Sequence, residues 1–299
     1  MKRVILIAAV LAMLTLTSSS RCNAADFKAE DFAVGAPEFN PNESILDSQD
    51  LIPVFIRKAI ASSLMRGPLV EVGASDLQQH SQVSDASRVS PDYARWSFRI
   101  KSAARFSDRS RVRTEDIIFS LSRCAERGAL RPLLSIQDRE ERGGIAWIDI
   151  DFGKQQASAA KKLLADLSNC PIVQRNSSIL FGKDLGVGSN VVSGGPYIIS
   201  AVVPGRKYIL SRVRKSTTDR TGLEQIEVRG FANPEQGLAA LRVGTIRAFA
   251  VRDDVIIGKA RKDETLEQRQ CDGYVLLKRR GVVIDCYENV SILSVRGDG

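Results

Sequence analysis

Residues 96–124 read WSFRIKSAARFSDRSRVRTEDIIFSLSRC, and this stretch decides the fold. Its first five residues alternate, with Trp96, Phe98 and Ile100 on one side and Ser97 and Arg99 on the other. Successive side chains of a strand point to opposite faces, so this is a strand with one buried face. The period then changes. After a polar turn around Ser107-Asp108, Ile117, Ile118, Leu121 and Cys124 recur at helical spacing. Thr114 is placed to cap that helix, and Glu115 and Asp116 put negative charge in its first turn, where the dipole favours it. A strand, a turn and a helix in immediate succession point to a mixed α/β (α+β) protein.

The same reading extends outward. Upstream, residues 51–65 (LIPVFIRKAIASSLM) carry an apolar helical stripe that Gly67-Pro68 stops, and residues 68–92 are polar and Ser-rich, suiting loops and short strands. Downstream, residues 145–152 (IAWIDIDF) alternate as a strand, and residues 155–167 form an Ala-, Lys- and Leu-rich helix. Strands follow at 197–203 and 207–213 around a Pro204-Gly205 turn, then at 225–229. A helix over 234–243 closes at Gly244, and strand-like segments follow at 246–251, 274–278 and 281–287. Hairpins outnumber βαβ units, which implies mixed or antiparallel sheets with flanking helices.

The N-terminus has a separate logic. Lys2 and Arg3, an apolar run from Val4 to Leu16 and a polar end of small residues form the three parts of a secretory signal over residues 1–25. Cleavage is expected after Ala24 or Ala25. The run is shorter than the roughly 20 residues a bilayer-spanning helix needs, so the mature chain is expected not to span a membrane. Of the 43 Lys+Arg, three leave with the signal and no acid does, so the net charge falls from +8 to +5. That mild excess gives no case for a nucleic-acid partner. The densest basic cluster, Arg105 to Arg113, contains Asp108 and lies in a turn, as a solvated surface does.

Side-chain chemistry narrows the function. The single histidine, His80, lies in a polar loop, so multi-histidine metal sites cannot form, and no metal or cofactor is expected. The GxSxG and HExxH motifs are absent, and the Gly-rich stretch over 182–195 lacks the GxxxxGK[ST] order of a phosphate loop. Gly194-Gly195-Pro196 before a strand reads instead as a connection between structural units. The expectation is a protein that is not an enzyme. Cys22 leaves with the signal, and Cys124, Cys170, Cys271 and Cys286 remain. In an oxidising compartment an even set implies two disulfides. Three connectivities are open; sequence order favours Cys124 with Cys170 and Cys271 with Cys286, the alternative being four buried thiols.

Three segments together resemble one family. WSFRIKSAARFSDRSRVRTEDIIFSLSRC is similar to the strand–turn–helix signature of the extracellular solute-binding proteins of the dipeptide, oligopeptide and nickel type, family 5. SGGPYIISAVVPGRKYIL (193–210) resembles that family's Gly-x-Gly-Pro-Tyr strand and hairpin, and PEQGLAALRVGTIRAF (234–249) its helix ending in Ala-Leu-x-x-Gly. The likeness runs in order from about Glu38 to Phe249. Arg109 stands where the family's turn glycine is usual. The resemblance implies a periplasmic-binding-protein-like lobe over residues 26–299, its sheet core from about 26–50 and 190–299 and an inserted subdomain over about 51–189. Family members are longer and build a second lobe, so the chain resembles the first lobe. The implied function is an exported, periplasmic or secreted solute-binding protein of an ABC importer, truncated to a lobe, that takes peptides or similar small solutes and works with a permease. Phe39, Asn40 and Tyr197 are its implied ligand-binding positions. The alternative is an exported single-lobe interaction protein that has lost solute binding.

Overall fold

The computed structural model describes residues 32–64, 81, 83–131, 133–192, 194–213, 223–271, 273–282 and 284. The signal segment, His80, Cys286 and most of the 281–287 segment lie outside the described residues. Two sheets organise the rest. The larger has seven strands in the order β10-β11-β9-β1-β8-β7-β6. These are β1 (Phe32–Pro37), β6 (Tyr197–Val203), β7 (Lys207–Arg212), β8 (Gln225–Phe231), β9 (Ala248–Val251), β10 (Leu266–Cys271) and β11 (Tyr274–Arg279). The smaller is an antiparallel sheet in the order β2-β3-β5-β4, built from β2 (Ser84–Val89), β3 (Arg95–Ile100), β4 (Ser135–Glu141) and β5 (Ile145–Asp151).

β1 is the centre of the large sheet. It pairs in parallel with β8 on one side (Val34 opposite Val228) and with β9 on the other (Val34 opposite Ala248). Every other pairing in this sheet is antiparallel. Strands covered on both faces read as apolar runs, and β1 (FAVGAP) and β9 (AFAV) do so. Val34, Ala36, Ala248 and Ala250 face helix α1 (Leu51–Ile60) within one apolar cluster. Ala33, Phe249 and Val251 face the opposite cluster, under α5 (Pro234–Val243) and α6 (Asp254–Arg261). A Cβ on Gly237 of α5 would stand 2.3 Å from the Phe249 ring, so that close crossing of helix on strand requires glycine.

The small sheet buries Trp96, Phe98, Ile100, Ile148 and Ile150 against α2 (Thr114–Glu126) and α3 (Ala157–Asn169). Cys124 of α2 and Cys170, just past α3, form a disulfide. A short helix, α4 (Arg175–Phe181), follows. On the outward face Trp147 is only 2% exposed, because the Arg88 and Arg139 guanidinium groups lie 4.4 Å and 5.3 Å from its ring centroid.

Some sequence expectations need correction. The helix predicted over 51–65 ends at Ile60, because Ala61 is extended and Ser62 bridges to Ile172 where the chain crosses to the small sheet. The resemblance places this helix in the inserted subdomain; its apolar residues bury against the large sheet. The residue preceding α2 is Arg113, so Thr114 is its first helical residue rather than its cap; the capping acceptor is Asp116, whose Oδ2 accepts from the Arg113 N–H at 2.9 Å. Arg109 has φ of 71°, the left-handed conformation that a glycine adopts without steric penalty. Elements α4, β4, α6 and β10 were not anticipated.

Candidate functional site

Two connections join the sheets side by side. The chain leaves α1 through residues 61–64 and returns through 192–196, where the Gly195 N–H donates to the Ile60 carbonyl at 2.7 Å. Next to this junction, between the segment leading into α1 and the C-terminal ends of α2 and α3, lies a cleft of about 510 Å³. That volume is in the roughly 300–1,000 Å³ range of small-molecule sites. Its large-sheet wall includes Leu51 and Val54 of α1, Arg252 at the carboxyl end of β9 and Tyr274 at the start of β11. The carboxyl ends of parallel strands, where connections part to opposite faces of a sheet, are the usual place for a ligand crevice.

Charge dominates the cleft. The Asp47 Oδ2 accepts from Arg127 Nη1 at 2.7 Å and from Arg123 Nη2, which closes a short contact. The Asp47 and Arg123 side chains are nearly buried, 11% and 13% exposed. Arg57 projects from α1 and gives its Nη1 to the carbonyls of Ile45 (3.1 Å) and Ser48 (3.0 Å). Burial pulls the Arg57 guanidinium below its ordinary pKa, with nearby Asp47 opposing and Arg123 adding to the shift. Arg123 is lowered in the same way, by burial first, with Asp47 opposing. Arg252 donates from Nε to the Gly273 carbonyl (3.1 Å) and from Nη2 to the Gln49 carbonyl (3.3 Å). A second concavity of about 570 Å³ adjoins on the α4 side and shares Asp47, Arg123 and Arg127. Among the described residues, no group of three His, Cys, Asp or Glu is placed to hold a metal ion.

The three residues named from the resemblance lie elsewhere. Phe39 is buried with its ring 5.3 Å from that of Tyr208. Tyr197 is buried and donates its hydroxyl to the Leu223 carbonyl at 3.0 Å. Asn40 is exposed just beyond β1, and its Oδ1 accepts from the Asn42 N–H at 3.0 Å, closing a local turn. Cys271 is also disulfide-bonded. Sequence reasoning missed Asp47, Arg57, Arg123, Arg127 and Arg252. Only Arg57 carried a signal, as a cation inside the apolar run LIPVFIRKAI.

The architecture is that of a lobe of a periplasmic binding protein: a mixed sheet with helices on both faces and a smaller sheet inserted between its first strand and the rest. The chain belongs to the bacterial extracellular solute-binding proteins, family 5, whose middle-region model matches residues 78–277. Among solved structures, it is similar to the binding protein MoaA of A. tumefaciens in complex with mannopinic acid (TM-score 0.62, 14% identity, 80% of this chain and 49% of that one). It is also similar to the periplasmic binding protein DppA of Helicobacter pylori in complex with a peptide (TM-score 0.59, 14% identity, 80% and 50%). The oligopeptide-binding protein AppA of Bacillus subtilis in complex with a nonapeptide gives a TM-score of 0.60 at 15% identity, over 80% and 47%. The chain thus spans about half the length of these structures. No curated protein matches it. Among the described residues no helix is long and apolar enough to cross a membrane.

Proposed function

We propose that this protein is an exported solute-binding component of ABC-type import, acting in the periplasm or outside the cell on peptides or similar small solutes. The observation that carries this reading is the membership of family 5 combined with a cleft of solute size at the junction of the two sheets. The signal-like segment at residues 1–25 supports export, and the disulfide between Cys124 and Cys170 suits an oxidising compartment. Of the three residues the family likeness points to, Asn40 is the exposed one, at the carboxyl end of β1; Phe39 packs in the core at that end, and Tyr197 packs in the core at the other end of the sheet, level with the start of β8. A permease is the proposed partner.

Thermal unfolding of the purified protein against a panel of short peptides and other small solutes tests the reading. A ligand that binds only the folded state stabilises by about 2.7 kcal/mol at a hundred times its Kd, which is a rise of several degrees in Tm. A panel that leaves Tm unmoved up to millimolar concentration refutes solute binding. Cell fractionation tests export: recovery in the cytoplasm with the N-terminal segment intact refutes that part.

A further inference from the structure

The cleft between the two sheets carries more positive charge than its own carboxylates offset. Arg57, Arg123 and Arg127 surround one carboxylate, Asp47. The cavity's other carboxylate, Asp166, is engaged by Lys162 at 2.9 Å. Arg252 donates from Nε and Nη2 to backbone carbonyls, which carry no charge to match it. Arg57 does the same with its Nη1, and its Nε is buried without a hydrogen-bond partner, in a residue only 8% exposed.

This arrangement is costly unless something completes it. A buried cation without full compensation is unfavourable, and a guanidinium does not shed its proton near neutral pH. The dipole of α2 favours a basic residue in its last turn, but that effect is about 0.3–1 kcal/mol and does not call for three arginines around one acid. Arginine forks match carboxylates in two-point hydrogen bonding, and this cluster is already arranged about a carboxylate, that of Asp47.

We infer that the cleft takes a small solute bearing at least two carboxylates, which Arg57, Arg123 and Arg127 hold beside Asp47. The inference deepens the solute-binding reading and rests on it: it names the chemical class that the same cleft selects. Arg127 is the accessible member of the cluster, half exposed, and so the one a solute meets first.

Isothermal titration of the purified protein with the dipeptide Glu-Glu, the neutral Gln-Gln, citrate and inorganic phosphate tests it. Glu-Glu and citrate are expected to bind at least tenfold more tightly than Gln-Gln, and to weaken as salt is raised. Arg127→Gln, at a half-exposed position that leaves the core intact, is expected to weaken Glu-Glu at least tenfold and to weaken Gln-Gln, which carries one carboxylate, by a smaller factor. The salt dependence of the unsubstituted protein gives a second readout that needs no variant. Equal binding of Glu-Glu and Gln-Gln, or an Arg127→Gln protein with unaltered Glu-Glu affinity, overturns the inference while leaving solute binding intact. Binding of phosphate alone overturns the carboxylate class. Failure of every solute, charged and neutral, overturns the solute-binding reading as well.

Discussion

Gly195 donates its N–H to the Ile60 carbonyl at 2.7 Å, and a Cβ on Gly195 would stand 2.2 Å from the Ile60 carbonyl carbon. The outgoing and returning connections between the sheets are therefore in direct backbone contact at Gly195, and the atoms a Cβ would meet there are all main-chain. Gly195→Ala is expected to destabilise the protein by about 2–4 kcal/mol, as overpacking against backbone does. Gly258, inside α6 with open space around its Cβ position, is the matched control. Gly258→Ala is expected to stabilise by about 0.5–1 kcal/mol through helix propensity. Urea titration of both variants decides the matter; equal, small effects would mean that the junction is not tightly held.

Asp116 is buried and its two oxygens serve different elements. Its Oδ2 accepts from the Arg113 N–H at the start of α2, and its Oδ1 from the Arg175 N–H at the start of α4, at 2.8 Å. One turn along, Ser120 Oγ accepts from the Val173 N–H at 3.0 Å and donates to the Asp116 carbonyl at 2.7 Å. Asp116→Ala removes two charge-assisted bonds and is expected to cost about 3 kcal/mol or more. Hydrogen exchange should then rise at the Arg175 amide ahead of the β1 amides; unchanged exchange there would show that α4 is held by something else.

The disulfide Cys124–Cys170 closes a loop with a sequence separation of 46. Chain-entropy arguments give about 4 kcal/mol for a loop of that size. The Cys124→Ser, Cys170→Ser double variant is expected to lose most of this, visible as a lower urea midpoint with a steeper slope, because the denatured chain expands. A variant as stable as the parent would mean that the denatured chain is already constrained in this region.

Asp108 is one of the carboxyls through which acid should act. Its Oδ2 accepts from Gln174 Nε2 at 2.9 Å and its Oδ1 from the Ser110 N–H and Oγ. Burial alone would raise its pKa, but hydrogen bonds from Ser110 and Gln174 outweigh this and hold it below its ordinary 3.8. A carboxyl depressed in the folded state contributes stability that is complete above its unfolded value and disappears as pH falls through the folded one. The stability difference between the parent and Asp108→Asn should therefore be constant at neutral pH and shrink below about pH 4. A difference that stays flat into strong acid would contradict the assigned shift.

Elements with one covered face were legible in the sequence: β3 and β5 alternate, α2 carries an apolar stripe, and α5 closes at Gly244. Those that were missed lack that contrast. β4 (SIQDREE) is mostly polar and draws its place from pairing with β5. α4 exposes Ile179 and Leu180 and sends only Phe181 against a core, so its apolar residues form no stripe. α6 begins at Asp253-Asp254, a pair that reads as a turn; Asp253 Oδ1 in fact accepts from the Val255 and Ile256 N–H groups as a cap. The cleft was the least legible part. Asp47 and Arg123 are 76 residues apart, and only the packing of α2 beside the segment before α1 brings them together.

The chain's two tryptophans, Trp96 and Trp147, both belong to the four-stranded sheet, one on its inner face and the other under the Arg88 and Arg139 side chains. Indole fluorescence is thus a private reporter of that sheet, blind to the seven-stranded one. Circular dichroism in the far ultraviolet averages over both. Superimposable melting curves from the two signals identify a single cooperative body, and separated ones give the order in which its halves come apart.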